Sequence, residues 1–292
     1  MLLSYNFSKP AAGGIDFQPE SGNAGLKQIL RRAAMQDRSV ILTTVDETWA
    51  RPGSVLDLFL ESFRIGHGTK HFLNHLVIVA LDGKAFQYCK SIHSHCFFLV
   101  TTKKPSLTPL KFKLFKQVVE LGYNLFFTDA DVMWLRNPVS HIPDKKELVI
   151  VCYFYSIDPP SISKVEEGGF FYLKANEISL EYFKYWELQK VLYPNSQNES
   201  LCEAAVTYPS LETFGVGTEY LEESHFNGFC QPRRNMSQIV TIRANCCDSV
   251  QSKVHDMKLL LEDWRHFTEL TTEETSVQGS SFAWRAPSKC RA

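Results

Sequence analysis

The chain carries no charge surplus: 31 Lys and Arg stand against 32 Asp and Glu, a net charge of -1. Without a basic excess there is no electrostatic footprint for nucleic acid or an anionic membrane, so an anionic ligand needs a local site. Long apolar runs are also missing. The longest, Leu148 to Ile157, is about half of the ~20 residues that a membrane-spanning helix needs. No basic segment followed by an apolar one opens the chain at Met1, so as written it is expected to be soluble, without signal peptide or anchor. Cys-x-x-Cys pairs are absent, which argues against a structural zinc site. The 15 Gly and 13 Pro form no linker or low-complexity tract, and no internal repeat is visible.

What is present is an ordinary globular composition, 44% hydrophobic and 22% charged, rich in Phe and able to build a large aromatic core. The eight cysteines are Cys89, Cys96, Cys152, Cys202, Cys230, Cys246, Cys247 and Cys290. Their even count permits disulfides, and eight buried free thiols in a reducing compartment are equally compatible with it. Sequons at Asn6, Asn198 and Asn235 lean weakly towards a secretory compartment.

Hydrophobic patterning orders the chain. Met1 to about Gly25 lacks periodicity and reads as a loose tail. Continuous apolar runs at Ser39–Val45, His75–Leu81, Cys96–Val100, Tyr123–Thr128 and Leu148–Phe154 read as buried strands. Between them, Ser54–Ile65, Lys84–Ile92 and Leu110–Leu121 have helical spacing, with Gly122 as a C-cap. This alternation predicts an α/β fold with a mostly parallel sheet flanked by helices. The second half is a more irregular α+β region. There Gly168–Leu173 reads as a strand and Glu177–Leu192 as a helix. Lys253–Phe267 reads as an amphipathic helix with Val254, Met257, Leu261 and Trp264 on one stripe.

The sharpest chemical signal is Phe126-Phe-Thr-Asp129-Ala-Asp131-Val-Met-Trp134, where two carboxylates interrupt an apolar strand. In extended chain, residues two apart point to one side with Cα atoms roughly 7 Å apart. Asp129 and Asp131 can then share one hard divalent cation whose other positions stay open to a diphosphate. The plain alternative is two solvated aspartates opening a loop. The pattern also loosely resembles the Asp-x-Asp of haloacid-dehalogenase-type phosphatases, but the later acidic pair those enzymes need is missing: Glu262-Asp263 sits inside a helix. Lys111, on the helix leading into the Asp strand, is a candidate partner for a phosphate, whereas Lys113 and Lys116 read as a solvated face. Gly168-Gly169 fits either close backbone approach to a sugar or phosphate, or a plain turn.

Taken together, several segments resemble the plant nucleotide-diphospho-sugar transferases, retaining glycosyltransferases of GT-A-type fold. They are Val40–Val45, Pro52–Arg64, Asn74–Asp82, Leu121–Trp134, Gly168–Tyr172, Phe226–Cys230 and Ala244–Cys247. The resemblance runs from about Ser39 to Phe267 and implies a single GT-A-like domain over residues 26–292. Its nucleotide-binding half would be about 39–140, and an acceptor- and metal-closing half about 141–270. It implies a UDP-sugar donor, Mn2+ or Mg2+ at Asp129 and Asp131, a cell-wall glycan or glycoprotein acceptor, and residence in the Golgi lumen. Lys111 falls where relatives tend to carry a basic residue that would hold the diphosphate. The chain departs from the family pattern twice. Arg243 stands where many relatives have a His; an arginine cannot ligate a cation, and it is expected either to grip the diphosphate or to pair with a surface carboxylate. Beyond Tyr193-Pro194, Glu199 and Glu203 are the acidic candidates in place of a richer acidic stretch. These departures motivate a rival reading, a non-catalytic relative that binds a nucleotide sugar or a partner.

Overall fold

A computed structural model describes residues 23–99, 107–144, 146–155, 164–192, 201–202, 215–231, 235–270 and 282–290. Its centre is a sheet of seven strands. These are β1 (Ser39–Val45), β2 (Leu76–Ala80), β3 (Cys96–Phe98), β4 (Asn124–Thr128), β6 (Leu148–Tyr155), β7 (Lys164–Leu173) and β8 (Thr218–Tyr220), in the order β3-β2-β1-β4-β7-β6-β8. The pairs β3–β2, β2–β1, β1–β4 and β6–β8 are parallel, as the apolar runs predict. Only β7 runs against its neighbours, pairing antiparallel with both β4 and β6. Three shorter strands, β5 (Val132–Trp134), β9 (Phe226–Gly228) and β10 (Thr241–Arg243), form a second sheet in the order β5-β10-β9. Strands from both expected halves of the chain thus share the large sheet.

Both faces of that sheet are buried, which is why its strands read as continuous apolar runs rather than alternating ones. On β1, Ile41 and Val45 face one core, and Val40 and Leu42 face the other. The first core is covered by α2 (Val55–Ile65), α3 (Gly83–Ile92) and α6 (Val250–Glu269), through residues such as Phe59, Phe63, Met257 and Trp264. The second is covered by α1 (Asn23–Ala33), α4 (Leu107–Glu120) and α5 (Glu177–Leu192), through Leu26, Leu30, Phe115, Val118 and Phe183. Helix starts follow local chemistry. Asp82 caps α3 by accepting from Ala85 N at 2.8 Å, and Ser249 caps α6 by accepting from Ser252 N at 3.0 Å. After α4 the chain reverses at Gly122, whose φ of 75° suits glycine.

Three expectations change. Helix α1 begins inside the stretch read as a loose tail: Leu26, Ile29, Leu30 and Ala33 recur at helical spacing and bury against the sheet. The two carboxylates do not lie in extended chain. The strand ends at Thr128 as expected, but the chain then turns, with Val132 N donating to Asp129 O at 3.0 Å, and resumes as β5 in the other sheet. The eight cysteines are paired, as Cys89–Cys96, Cys152–Cys202, Cys230–Cys246 and Cys247–Cys290, so the free-thiol alternative falls.

Candidate active site

The turn that separates β4 from β5 lies at the carboxyl edge of the parallel strands, where ligands of open α/β sheets bind. It is fixed from below. Trp134 donates its Nε1 proton to Thr128 Oγ1 at 3.2 Å and its backbone N–H to Ser62 Oγ at 3.0 Å, and its ring stacks on Phe63 at 4.6 Å. Gly169 O accepts from Asp129 N at 2.7 Å, and Asp131 O accepts from Ala244 N at 2.8 Å. Both carboxylates are therefore aimed by a tight turn, not by the two-residue repeat of a strand.

Three cations converge on them. Lys111 Nζ, on α4, donates to Asp129 Oδ1 at 2.7 Å. Arg243, at the end of β10, donates from Nη2 to Asp129 Oδ2 at 3.0 Å and brings Nε to 3.5 Å from Asp131 Oδ1. Its Nη1 donates to the Glu167 carbonyl. Lys253, on α6, donates to Asp131 Oδ2 and to the Ala244 carbonyl, with its ammonium 5.1 Å from the centre of the Trp49 ring. The cluster is graded in depth. Asp131 has 2% of its side chain exposed and Lys253 11%, whereas Lys111 has 19% and Arg243 23%. Lys111 and Arg243 are thus the cations that face solvent.

The electrostatics follow from this packing. Burial pushes the Asp129 carboxyl up, but Lys111 and Arg243 outweigh it and hold the group below the usual carboxylate range. Burial works against the Arg243 charge, and Asp131 and Asp129 reverse that, raising its pKa further. Glu167, whose side chain accepts from Leu201 N at 2.5 Å, is raised, mainly by burial. Three fixed cations on two carboxylates leave a positive cluster at the sheet edge, which suits a polyanion.

Of the residues singled out in the sequence, Asp129, Asp131, Lys111, Arg243 and Gly169 come together. A Cβ on Gly169, whose φ is 72°, would lie 3.0 Å from Asp129 Oδ2 and 3.1 Å from Arg243 Nε. Gly168 does not join them, because its missing side chain makes room for Val151, whose Cγ1 a Cβ would meet at 2.1 Å. Lys113 is exposed and Lys116 pairs with Glu187 at 2.6 Å, as expected of a solvated face. Glu199 and Glu203 lie outside the described residues. Lys253 escaped the sequence reading, although its signal was there. It occupies the apolar stripe of α6 with Met257, Leu260 and Trp264, whereas Val254 of the expected stripe is only half-buried.

The residues present do not fit a resident divalent ion. Among the described residues no third His, Cys, Asp or Glu joins the two carboxylates. Three of the four carboxylate oxygens already accept from Lys or Arg. The fourth, Asp131 Oδ1, is buried without a hydrogen bond, and its near neighbour is the equally unpartnered Arg243 Nε. Among the described residues, three of the four donor oxygens are thus taken by the chain's own cations, and the fourth faces the Arg243 guanidinium.

Comparison with known proteins decides the family. Residues 71–257 match the family model described as nucleotide-diphospho-sugar transferase. The chain belongs to that family. An uncharacterized protein of Arabidopsis thaliana is 31% identical over 281 residues, covering 91% of this chain and 73% of that protein. Arabinosyltransferase RRA2 of the same plant is 26% identical over 135 residues, covering 42% of this chain and 29% of that protein. Among solved structures, mouse xyloside xylosyltransferase 1 aligns with a TM-score of 0.43 at 9% identity, over 71% of this chain and 98% of that one. By its family this nucleotide-diphospho-sugar transferase is a glycosyltransferase built on the mixed α/β sheet described above, and the phosphatase reading of Asp129-Ala-Asp131 is set aside.

Proposed function

We propose that this transferase seats the diphosphate of a UDP-sugar on Lys111 and Arg243, the solvent-facing cations of the cluster that Asp129, Asp131 and Lys253 complete. It then moves the sugar, with retention at the anomeric carbon, to a cell-wall glycan or glycoprotein. The observation that carries the reading is the convergence of three cations on the Asp129–Asp131 turn at the carboxyl edge of the sheet. In the reaction the bond from the sugar's anomeric carbon to the diphosphate oxygen breaks, and its electron pair leaves on the diphosphate. An acceptor hydroxyl oxygen forms the new bond, and its proton passes to the leaving diphosphate oxygen. Lys111 and Arg243, already fixed and partly dehydrated, meet the charge that grows on the leaving group. Asp129 is a positioning residue that holds both cations towards the ligand. Retention and the acceptor class rest on the family resemblance.

The Arabidopsis arabinosyltransferase relatives make an arabinosyl donor the first to try. Four disulfides support an oxidising compartment, and we assign the chain to the Golgi lumen. No helix among the described residues is long and apolar enough to cross a membrane. Metal dependence is the part of the sequence expectation that the donor set does not support. A screen of nucleotide-sugar donors for hydrolysis and transfer, with NMR of the product's anomeric configuration, tests the reading. Transfer from a UDP-sugar, abolished in Lys111→Ala and Arg243→Ala, is expected. Nucleotide binding without turnover on any donor would leave the non-catalytic reading standing.

A further inference from the structure

We infer that the donor diphosphate is bound without a divalent ion, its charge met by Lys111, Arg243 and Lys253 in the place a metal would take. The inference rests on the donor-site reading above. Two carboxylates that close a strand are a common way to hold a hard cation, which needs about six oxygen ligands and open coordination positions. Here Asp129 spends both oxygens on Lys111 and Arg243, and Asp131 faces Lys253 and Arg243. An incoming divalent ion would have to displace at least one of these charges or sit among all three.

Neither Arg243 nor Lys253 is free to move aside. Arg243 is tied through Nη1 to the Glu167 carbonyl, and β10 is laddered to β5, with Arg243 opposite Val132. Lys253 is tied to the Ala244 carbonyl and lies near the Trp49 ring. Swinging either one out would strand a buried acceptor as well as a carboxylate. The cluster also keeps donors for an anion. Lys111, with 19% of its side chain exposed, spends one of its three ammonium protons on Asp129 and keeps the others for a ligand, whereas Arg243 Nε is buried against Asp131 Oδ1 at 3.5 Å. With no Cβ at Gly169, the backbone comes within reach of Asp129 and Arg243.

Calorimetric titration of UDP into the full chain tests this, in one arm after exhaustive chelation and in the other with millimolar Mn2+. Free Mn2+ is counted in parallel by electron paramagnetic resonance. UDP is expected to bind the chelated protein with an affinity within about tenfold of that in Mn2+. Without nucleotide, no stoichiometric Mn2+ should bind. Lys111→Ala, with the folded fraction checked by circular dichroism, is expected to weaken UDP in both arms by about 10- to 100-fold, as loss of one charged contact does. Arg243→His, which takes the guanidinium off both carboxylates and offers an imidazole nitrogen, should make UDP binding respond to Mn2+. UDP binding confined to the Mn2+ arm overturns this inference and leaves the donor site in place. Absence of UDP binding in both arms overturns the donor-site reading, and this inference with it.

Discussion

Asp131 loses almost all its hydration on folding, and Lys253 is what makes that tolerable. A buried charge left alone is far more costly than the pair is stabilising. Lys253→Met is therefore expected to destabilise the fold by about 3–5 kcal/mol. Adding Asp131→Asn in the same chain should recover part of that loss, and urea unfolding of the two variants measures both. If the double variant is no more stable than the single one, Lys253 serves packing and not charge. The two neighbouring glycines separate in the same way. Gly169→Ala puts a methyl group into a left-handed backbone and 3.0 Å from Asp129 Oδ2, so it should cost about 1 kcal/mol or more and weaken UDP binding. Gly168→Ala drives its Cβ into Val151, so it should lower the melting temperature further while the surviving folded protein binds UDP as the parent does. Thermal unfolding with and without UDP distinguishes the two.

At the scale of elements, the Asp129–Asp131 turn is held by the strand that follows it. Trp134 is fully buried against Phe63, Phe72 and Phe170, and Trp134→Ala is expected to cost about 3–5 kcal/mol. Because Trp134 Nε1 holds Thr128, the variant should also lose UDP affinity, whereas a cavity of similar size at Phe183, in the other core, should leave it intact. Calorimetry on both variants checks this. The apolar runs that became β1, β2 and β4 were legible because a parallel strand covered on both faces must be apolar throughout. The antiparallel β7 was legible only in part. Its first residues, Lys164 to Glu167, are polar or half-buried and lack the pattern of its last four. The pairing of Asp129 with Asp131 was visible as charge inside an apolar run, but the turn that aims them was not, since no Gly or Pro marks it. Lys253 was hidden because a helix of mixed charge hides one lysine on its buried face unless every position is weighed against the stripe. Arg243 was found because it stands where many relatives of the resembled family have a His, while its tie to Glu167 depends on a strand more than 70 residues away.

For the whole molecule, the chain's C-terminal stretch at 282–290 is held to α6 and to the loop before it. Cys247–Cys290 joins it covalently to that loop, and breaking it by Cys290→Ser should cost about 2–4 kcal/mol, visible as a lower melting temperature that reductant then lowers less than in the parent. On α6, Asp263 accepts from Arg285 N at 2.7 Å and from its Nε at 2.5 Å. Asp256 holds the residues that follow. It is fully buried and accepts from Ser288 N at 2.9 Å, from Lys289 N at 2.8 Å and from Cys290 N at 2.7 Å. Burial pushes its carboxyl up, but these N–H groups and His255 more than offset it and hold the pKa below the ordinary carboxylate value. A carboxyl lowered in the native state binds fewer protons there than when unfolded. Its contribution is thus present above the unfolded value and is lost as pH falls through the lowered native one. Asp256→Asn keeps the shape and one acceptor oxygen but loses the charge and turns the other oxygen into a donor, so at neutral pH it should cost about 1–3 kcal/mol. The deficit should shrink on acidification until parent and variant unfold alike. Melting temperatures of both proteins from neutral to acid pH measure it, and a gap that stays constant across that range would show that the carboxylate charge is not what holds the C-terminal stretch.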